Sequence, residues 1–252
     1  MIPEIRLPSD DELFAACSAK YAIAAATYID NWPDEWRALS MGTTLVKLPA
    51  DAIAEMFEAH DGRQEFPVLS VLAAEIDAAM NWDAQFIRLN TRSPKDFEPR
   101  PITCAGRQAI HWLIGSMRTI EDLSMLNLAK KPAFIALRKQ VYIRKSSELR
   151  CFVKGGSLIA ICQYFYDRPQ RTWQSEAKRH EAWGAIEAFW RSAVHPPSPI
   201  QDYVFDVALQ GAGQPLMIEV NPYGLSDPCA AKTYENIERG GFFYVAAPEA
   251  AT

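Results

Sequence analysis

The 252-residue chain contains neither G-x-x-x-x-G-K-[ST] nor G-x-G-x-x-G, so it has no P-loop and no Rossmann phosphate cradle. It has no C-x-x-C pair either. Cys17, Cys104, Cys151, Cys162 and Cys229 are odd in number and far apart, which argues against a disulfide framework and a zinc finger and for reduced, intracellular thiols. His60, His111, His180 and His195 are scattered, without the spacing of a metal-binding pair. The apolar run "YAIAAATYI" is less than half the length that crosses a bilayer, and the N-terminus lacks the basic-then-apolar pattern of a signal peptide. A soluble, unexported, cytoplasmic protein is expected, with no membrane partner. The formal charge of −5 opposes generic adhesion to nucleic acid, so no nucleic-acid partner is expected, although a local cationic pocket for phosphates is compatible with it.

What is present belongs to an ordinary globular protein, with 49% hydrophobic and 23% charged residues. The length suits one two-lobed unit or two intimately packed ones. Helical periodicity dominates the first half. Ser9 and Glu12 stand at capping-box spacing before one helix, Pro49 opens another through "ADAIAEMFEAH", and 67–80, 106–117 and about 119–129 follow, with "TTLVKL" and "AQFIRLN" as intervening strands. From Pro132 strands prevail: "AFIALRKQVYI", "SELRCFV", "SLIAICQYF", then a helix from about 174 to 193, then "YVFDVAL" and "PLMIEV", the last ended by Pro222. The expectation is an α+β fold, with an N-terminal lobe over 1–131 and a C-terminal lobe over 132–252.

Two hairpins carry the chemistry. In "YVFDVALQGAGQPLMIEVN", pairing symmetric about the glycine-bearing loop sets Asp206 across from Glu219 and Val204 across from Asn221. Like charges directly opposed destabilise a ladder, so something must compensate. A hard cation such as Mg²⁺ would do so, since it takes one or two carboxylates plus phosphate and water oxygens. The same pattern also fits a solvated hairpin whose Glu219 faces water. In "SELRCFVKGGSLIAICQYF", symmetric pairing about Gly155 and Gly156 makes Leu149, Cys151, Val153, Leu158, Ala160 and Cys162 one apolar face. Its reverse then carries Glu148, Arg150 and Phe152 against Gln163, Ile161 and Ile159. Arg88, in "FIRLN", and Arg138 and Lys139, in "IALRKQVYI", are cations within apolar strands. Each fits either a side chain reaching solvent or, taken with Arg150 and the carboxylate pair, contacts to a nucleoside triphosphate.

These residues resemble a known family, cell division cycle protein 123, a branch of the ATP-grasp fold. The resemblance rests on "FIRLNTRSPKD", on "ALRKQVYIRKSSELRCFVKGGSLIAICQ", on "FDVAL" followed by "MIEVNPYGLSDP", and on Trp32, "LVKLPADAI" and "AHDG" in the family's order. It implies an ATP-grasp-like pair of α+β lobes, with antiparallel sheets enclosing a nucleotide cleft. It also implies ATP and Mg²⁺ as ligands. Arg88 would take the place of an ATP-contacting lysine. Lys139 would lie at the adenine hinge, whose backbone near "KQVYI" reads adenine, Arg150 would face the phosphates, Arg138, Val141, Glu148 and Gln163 would complete the nucleotide-binding set, and Asp206, Glu219 and Asn221 would hold the magnesium. Departures from the family are Arg88 for lysine, Thr91 and Arg92 for tryptophan and serine, Tyr164 for arginine, and Glu219 for aspartate. The family's role, ATP-dependent assembly of eukaryotic translation initiation factor 2, implies a protein client. The alternative is a carboxylate–amine ligase working through an acyl phosphate, as in other ATP-grasp proteins. No catalytic nucleophile is indicated.

Overall fold

The computed structural model describes residues 8–61, 66–96 and 101–248. The first helix, α1 (Asp10–Ala24), begins where expected: Glu12 N donates to Ser9 Oγ at 3.3 Å and Ser9 N donates to Glu12 Oε2 at 2.7 Å. There follow α2 (Asp34–Ala38), β1 (Thr43–Leu48), α3 (Ala50–His60), α4 (Pro67–Met80), β2 (Gln85–Leu89), β3 (Ile102–Thr103), α5 (Gly106–Gly115), α6 (Met117–Leu128) and β4 (Ala133–Lys139). The remainder comprises β5 (Glu148–Lys154), β6 (Ser157–Gln163), α7 (Arg171–Gln174), α8 (Glu176–Phe189), β7 (Tyr203–Leu209), β8 (Pro215–Pro222), α9 (Tyr234–Arg239) and β9 (Gly241–Phe243). The long helix does not stop at Phe189 but relaxes into a π-helical turn over Trp190–Val194.

The fold is α+β, built on two largely antiparallel sheets, each within its own compact unit. Unit 1 holds residues up to Ala25 and Thr43–Gln140; unit 2 holds Ala26–Gly42 and Val141 onward. The sequence reading drew its boundary before β4, but β4 lies inside the first sheet, in the order β1-β4-β2-β3, and residues 26–42 rejoin the second unit. Long-range burial explains the return. Trp36, fully buried, donates its indole N–H to Val194 O at 2.7 Å and packs against Tyr203.

In unit 1 one sheet face carries Ile87, Leu89, Ile135 and Leu137, all essentially buried, and α4 and α5 pack together beside β1, β2 and β3. Gly106 lets α5 approach, because a Cβ there would overlap Ala73 O. The opposite face carries Arg88, across from Ala136, and Arg138, across from Phe86.

Unit 2 is a five-stranded sheet in the order β8-β7-β5-β6-β9, with β9 joining β6 in parallel. The β7–β8 register is the expected one from Tyr203 to Asp206, then shifts by one residue at a bulge before Val207. Pro222 ends β8 as its last residue. It pairs with Tyr203, and the edge position of β8 tolerates a proline that donates no hydrogen bond.

The β5–β6 hairpin departs from symmetric pairing. A bulge between Phe152 and Val153 moves Arg150 opposite Cys162 and Phe152 opposite Ala160, so Ala160 and Cys162 share Arg150's face and Gln163 joins Leu149's. One face of the sheet therefore holds Arg150 beside a packed cluster of Phe152, Ala160, Cys162, Val204, Cys229 and Ile237. The other, through Tyr203, meets Trp190 and Trp36. Among the described residues no helix is long and apolar enough to cross a membrane.

Candidate functional site

Strand order turns three separate residues into one row. Arg150 on β5 pairs with Asp206 on β7, which pairs with Glu219 on β8, so all three side chains project from the same face of unit 2. Asn221, two residues beyond Glu219, lies on that face as well, across from Val204.

Part of the compensation demanded by two opposed carboxylates is supplied by the protein itself. Arg150 Nε donates to Asp206 Oδ1 and Arg150 Nη2 to Asp206 Oδ2, both at 2.7 Å, a planar fork on a fully buried carboxylate. Nη1 donates to Asp227 O at 3.1 Å, and the guanidinium lies 4.8 Å from the Tyr164 ring centre. Glu219 Oε1 is 3.9 Å from Arg150 Nη2. One guanidinium thus faces two carboxylates, leaving the row with an excess negative charge. Hairpin geometry alone pointed to a divalent cation as the partner. The arginine escaped that reasoning because its adjacency to β7 depends on which strand β5 joins.

Burial raises the Asp206 carboxyl, Arg150 lowers it, and Glu219 raises it again through its charge and a shared hydrogen bond, leaving it pushed up to about 6. Burial and Glu219 together outweigh the Arg150 fork, so the coupled carboxyls ionise less readily than free ones. Arg150 moves the other way: burial opposes its charge, but Asp206 outweighs burial and lifts its pKa well above the ordinary value.

The donor set suits a hard cation. Two carboxylates and an amide carbonyl offer only oxygen, and Mg²⁺ completes its shell from phosphates and water. Asn221 presents its amide nitrogen to Asp206 Oδ2 at 3.5 Å, so ligation requires a half-turn of that amide. Among the described residues no three His, Cys, Asp or Glu side chains form a metal-holding group. Beside the row opens a cleft of about 410 Å³ lined by Arg150, Tyr164, Tyr166, Asp227 and Cys229. Asp227 is itself fixed, accepting from Cys229 N at 2.7 Å and from Tyr166 Oη–H at 2.9 Å. Sequence reasoning singled out neither Asp227 nor Tyr166, and no local pattern marks them.

The other sequence-selected residues fall elsewhere. Glu148 shares Arg150's face and is half-buried. Gln163 does not join the row: the bulge turns it to the reverse face, where its amide donates to Phe165 O and Arg168 O and accepts from Val245 N. In unit 1, Arg88 is buried and donates to Leu89 O at 3.0 Å and Thr91 O at 2.9 Å, clamping the turn after β2. Arg138 is buried on the same sheet face, Lys139 ends β4 exposed, and Val141, in unit 2, is 36% exposed.

Comparison with known proteins accords with this architecture. The solved structure of Cdc123 from Schizosaccharomyces pombe superposes with a TM-score of 0.71 at 19% identity, over 94% of this chain and 95% of that one, so the two share a fold. In sequence, the translation initiation factor eIF2 assembly protein of Danio rerio is 29% identical over 186 residues, covering 68% of this chain and 50% of that protein. Cell division cycle protein 123 of Yarrowia lipolytica is 34% identical over 131 residues, 48% of this chain and 34% of that protein. The chain therefore spans half the length of the first relative and about a third of the second. The family model described as D123 matches residues 50–241, a stretch that includes β5, β7 and β8 with the whole Arg150–Asp206–Glu219 row, and the chain belongs to that family.

Proposed function

We propose that this protein binds ATP with Mg²⁺ and uses the complex in assembling translation initiation factor 2, the role carried in the names of its relatives. The observation that carries the ligand assignment is the excess carboxylate of the row. Arg150 neutralises Asp206, while Glu219 remains close by on the same face with Asn221, so a cation that brings its own phosphate oxygens relieves the repulsion. In this reading Asp206, Glu219 and Asn221 hold the magnesium. Arg150, next to the open cleft, binds a phosphate oxygen, and Glu148 lies two residues before it on the same strand face. Arg88, Arg138, Lys139 and Val141 are assigned to the nucleotide by family resemblance alone. Gln163 is left out, since its amide is committed to three backbone groups.

Calorimetric titration with ATP in the presence and absence of Mg²⁺ tests the ligand. Binding is expected to need the metal and to disappear in Asp206→Ala and Glu219→Ala; undiminished binding in both variants would overturn the assignment. Co-elution with the γ subunit of the initiation factor tests the client. Retention of that subunit only with ATP and Mg²⁺ supports the assembly role, and failure to retain it under any nucleotide condition removes it.

A further inference from the structure

Arg150 is held from a second direction as well as by the row. Nε and Nη2 grip Asp206, while Nη1 donates to the backbone carbonyl of Asp227 at 3.1 Å. That leaves one N–H on Nη1 and one on Nη2 to meet a ligand, on a side chain that borders the cleft of about 410 Å³. The fork by itself lets the guanidinium plane rock about the line to Asp206. The bond at Nη1, on the opposite edge of the plane, stops that motion.

The Asp227 carbonyl sits in a turn fastened at both ends. Upstream, Ser226 Oγ donates to Pro222 O at 2.8 Å and Ser226 O accepts from Tyr234 Oη–H at 2.9 Å. Downstream, Asp227 Oδ1 accepts from Cys229 N at 2.7 Å, an aspartate closing its own turn across Pro228. Cys229 stands at φ 51°, a left-handed conformation that a β-carbon disfavours, so the turn needs that bond to persist. The other carboxylate oxygen, Oδ2, accepts from Tyr166 Oη–H at 2.9 Å and ties the turn to the segment after β6, whose Tyr164 ring lies 4.8 Å from the guanidinium. One side chain thus joins the two segments that flank Arg150.

We propose that Asp227 is a positioning residue for the nucleotide: its carboxylate fixes the 227–229 turn, the turn keeps the Asp227 carbonyl on Arg150 Nη1, and the guanidinium meets phosphate oxygens already oriented. The inference rests on the ATP reading above and adds to it a residue that acts through Arg150 rather than on the ligand. A donor fixed in advance loses little further freedom when the phosphate arrives.

Two substitutions separate geometry from charge. Asp227→Asn keeps the Oδ1 acceptor for Cys229 N and removes the charge, whereas Asp227→Ala removes both. Position 227 is exposed, so neither opens the core. The Arg150 guanidinium is read first, by ¹⁵N NMR on protein free of metal and nucleotide. Separate Nη1 proton signals are expected in wild type and Asp227→Asn, because rotation about Cζ–Nη1 is held back. In Asp227→Ala they should merge, while the Nη2 pair on Asp206 stays split. In calorimetric titration with ATP and Mg²⁺, Asp227→Ala should then weaken binding about tenfold and Asp227→Asn should stay within about twofold of wild type. The positioning role is overturned if Asp227→Ala leaves the Nη1 signals split or the affinity unchanged, or if Asp227→Asn binds as weakly as Asp227→Ala. Wild-type protein that binds no ATP would instead remove the ATP reading, with the Nη1 signals still deciding whether Asp227 holds Arg150.

Discussion

Glu219→Gln and Asp206→Asn remove the same charge from neighbouring positions of one ladder, yet they are expected to shift stability in opposite directions. The Asp206 carboxyl is pushed up to about 6 where a free aspartate has 3.8, so ionising it inside the fold costs up to about 3 kcal/mol at neutral pH, most of it from burial and a smaller part from Glu219. Glu219→Gln keeps the shape and removes the second charge, and should recover the Glu219 share of that cost, about 1 kcal/mol, a rise of roughly 2–4 °C in Tm for a chain of this size. Asp206→Asn instead strips the fork from Arg150, whose side chain is only 7% exposed, and strands a buried cation. Breaking such a pair costs about 3–5 kcal/mol and should lower Tm by roughly 6–20 °C. Thermal unfolding with EDTA at neutral pH reads both. Repeating it with ATP and Mg²⁺ should raise Tm in the wild type and in neither variant. A Glu219→Gln protein less stable than wild type, or an Asp206→Asn protein more stable, would show the raised titration to be wrongly assigned to the pair. A Glu219→Gln protein that kept the full nucleotide shift would remove the cation from this ladder.

Between about pH 4 and 6 the folded row retains a proton that the unfolded chain has released, so metal-free stability should fall as pH rises across that window and level off above it, and Glu219→Gln should flatten the profile. Because a cation must displace the same proton, Mg²⁺-dependent ATP affinity should drop about tenfold for each pH unit below about 6, measured by calorimetry. Gly106→Ala puts a methyl group into Ala73 O, a backbone atom of α4 that cannot swing aside; a loss of about 1–3 kcal/mol in urea unfolding is expected, and a neutral result would mean α4 and α5 are further apart than described. Gln163→Leu should cost roughly 2–4 kcal/mol by freeing Phe165 O, Arg168 O and Val245 N, while leaving the Kd for ATP with Mg²⁺ within a few-fold; a larger loss of affinity would return Gln163 to the nucleotide.

Local chemistry made much of this protein legible in one dimension. The Ser9 and Glu12 capping box, Pro49 ahead of α3, and the alternating run of β7 are read from residues a few positions apart, and so is the half of the β7–β8 register nearest Pro222 that faces Asp206 with Glu219. A hairpin's pairing follows from its own two strands and turn, which is why that pair could be found without coordinates. Short elements such as α2, β3 and β9 were missed, since too few residues carry any period and each is held by distant partners, as Trp36 is by Val194 and Tyr203. Strand order and bulges belong to the tertiary structure. Placing β5 beside β7 set Arg150 on Asp206, and one extra residue in β6 sent Gln163 to the far face while bringing Cys162 to Arg150's. Both outcomes depend on which edges meet and on how two faces pack, and neither is encoded in the spacing of residues along a single strand.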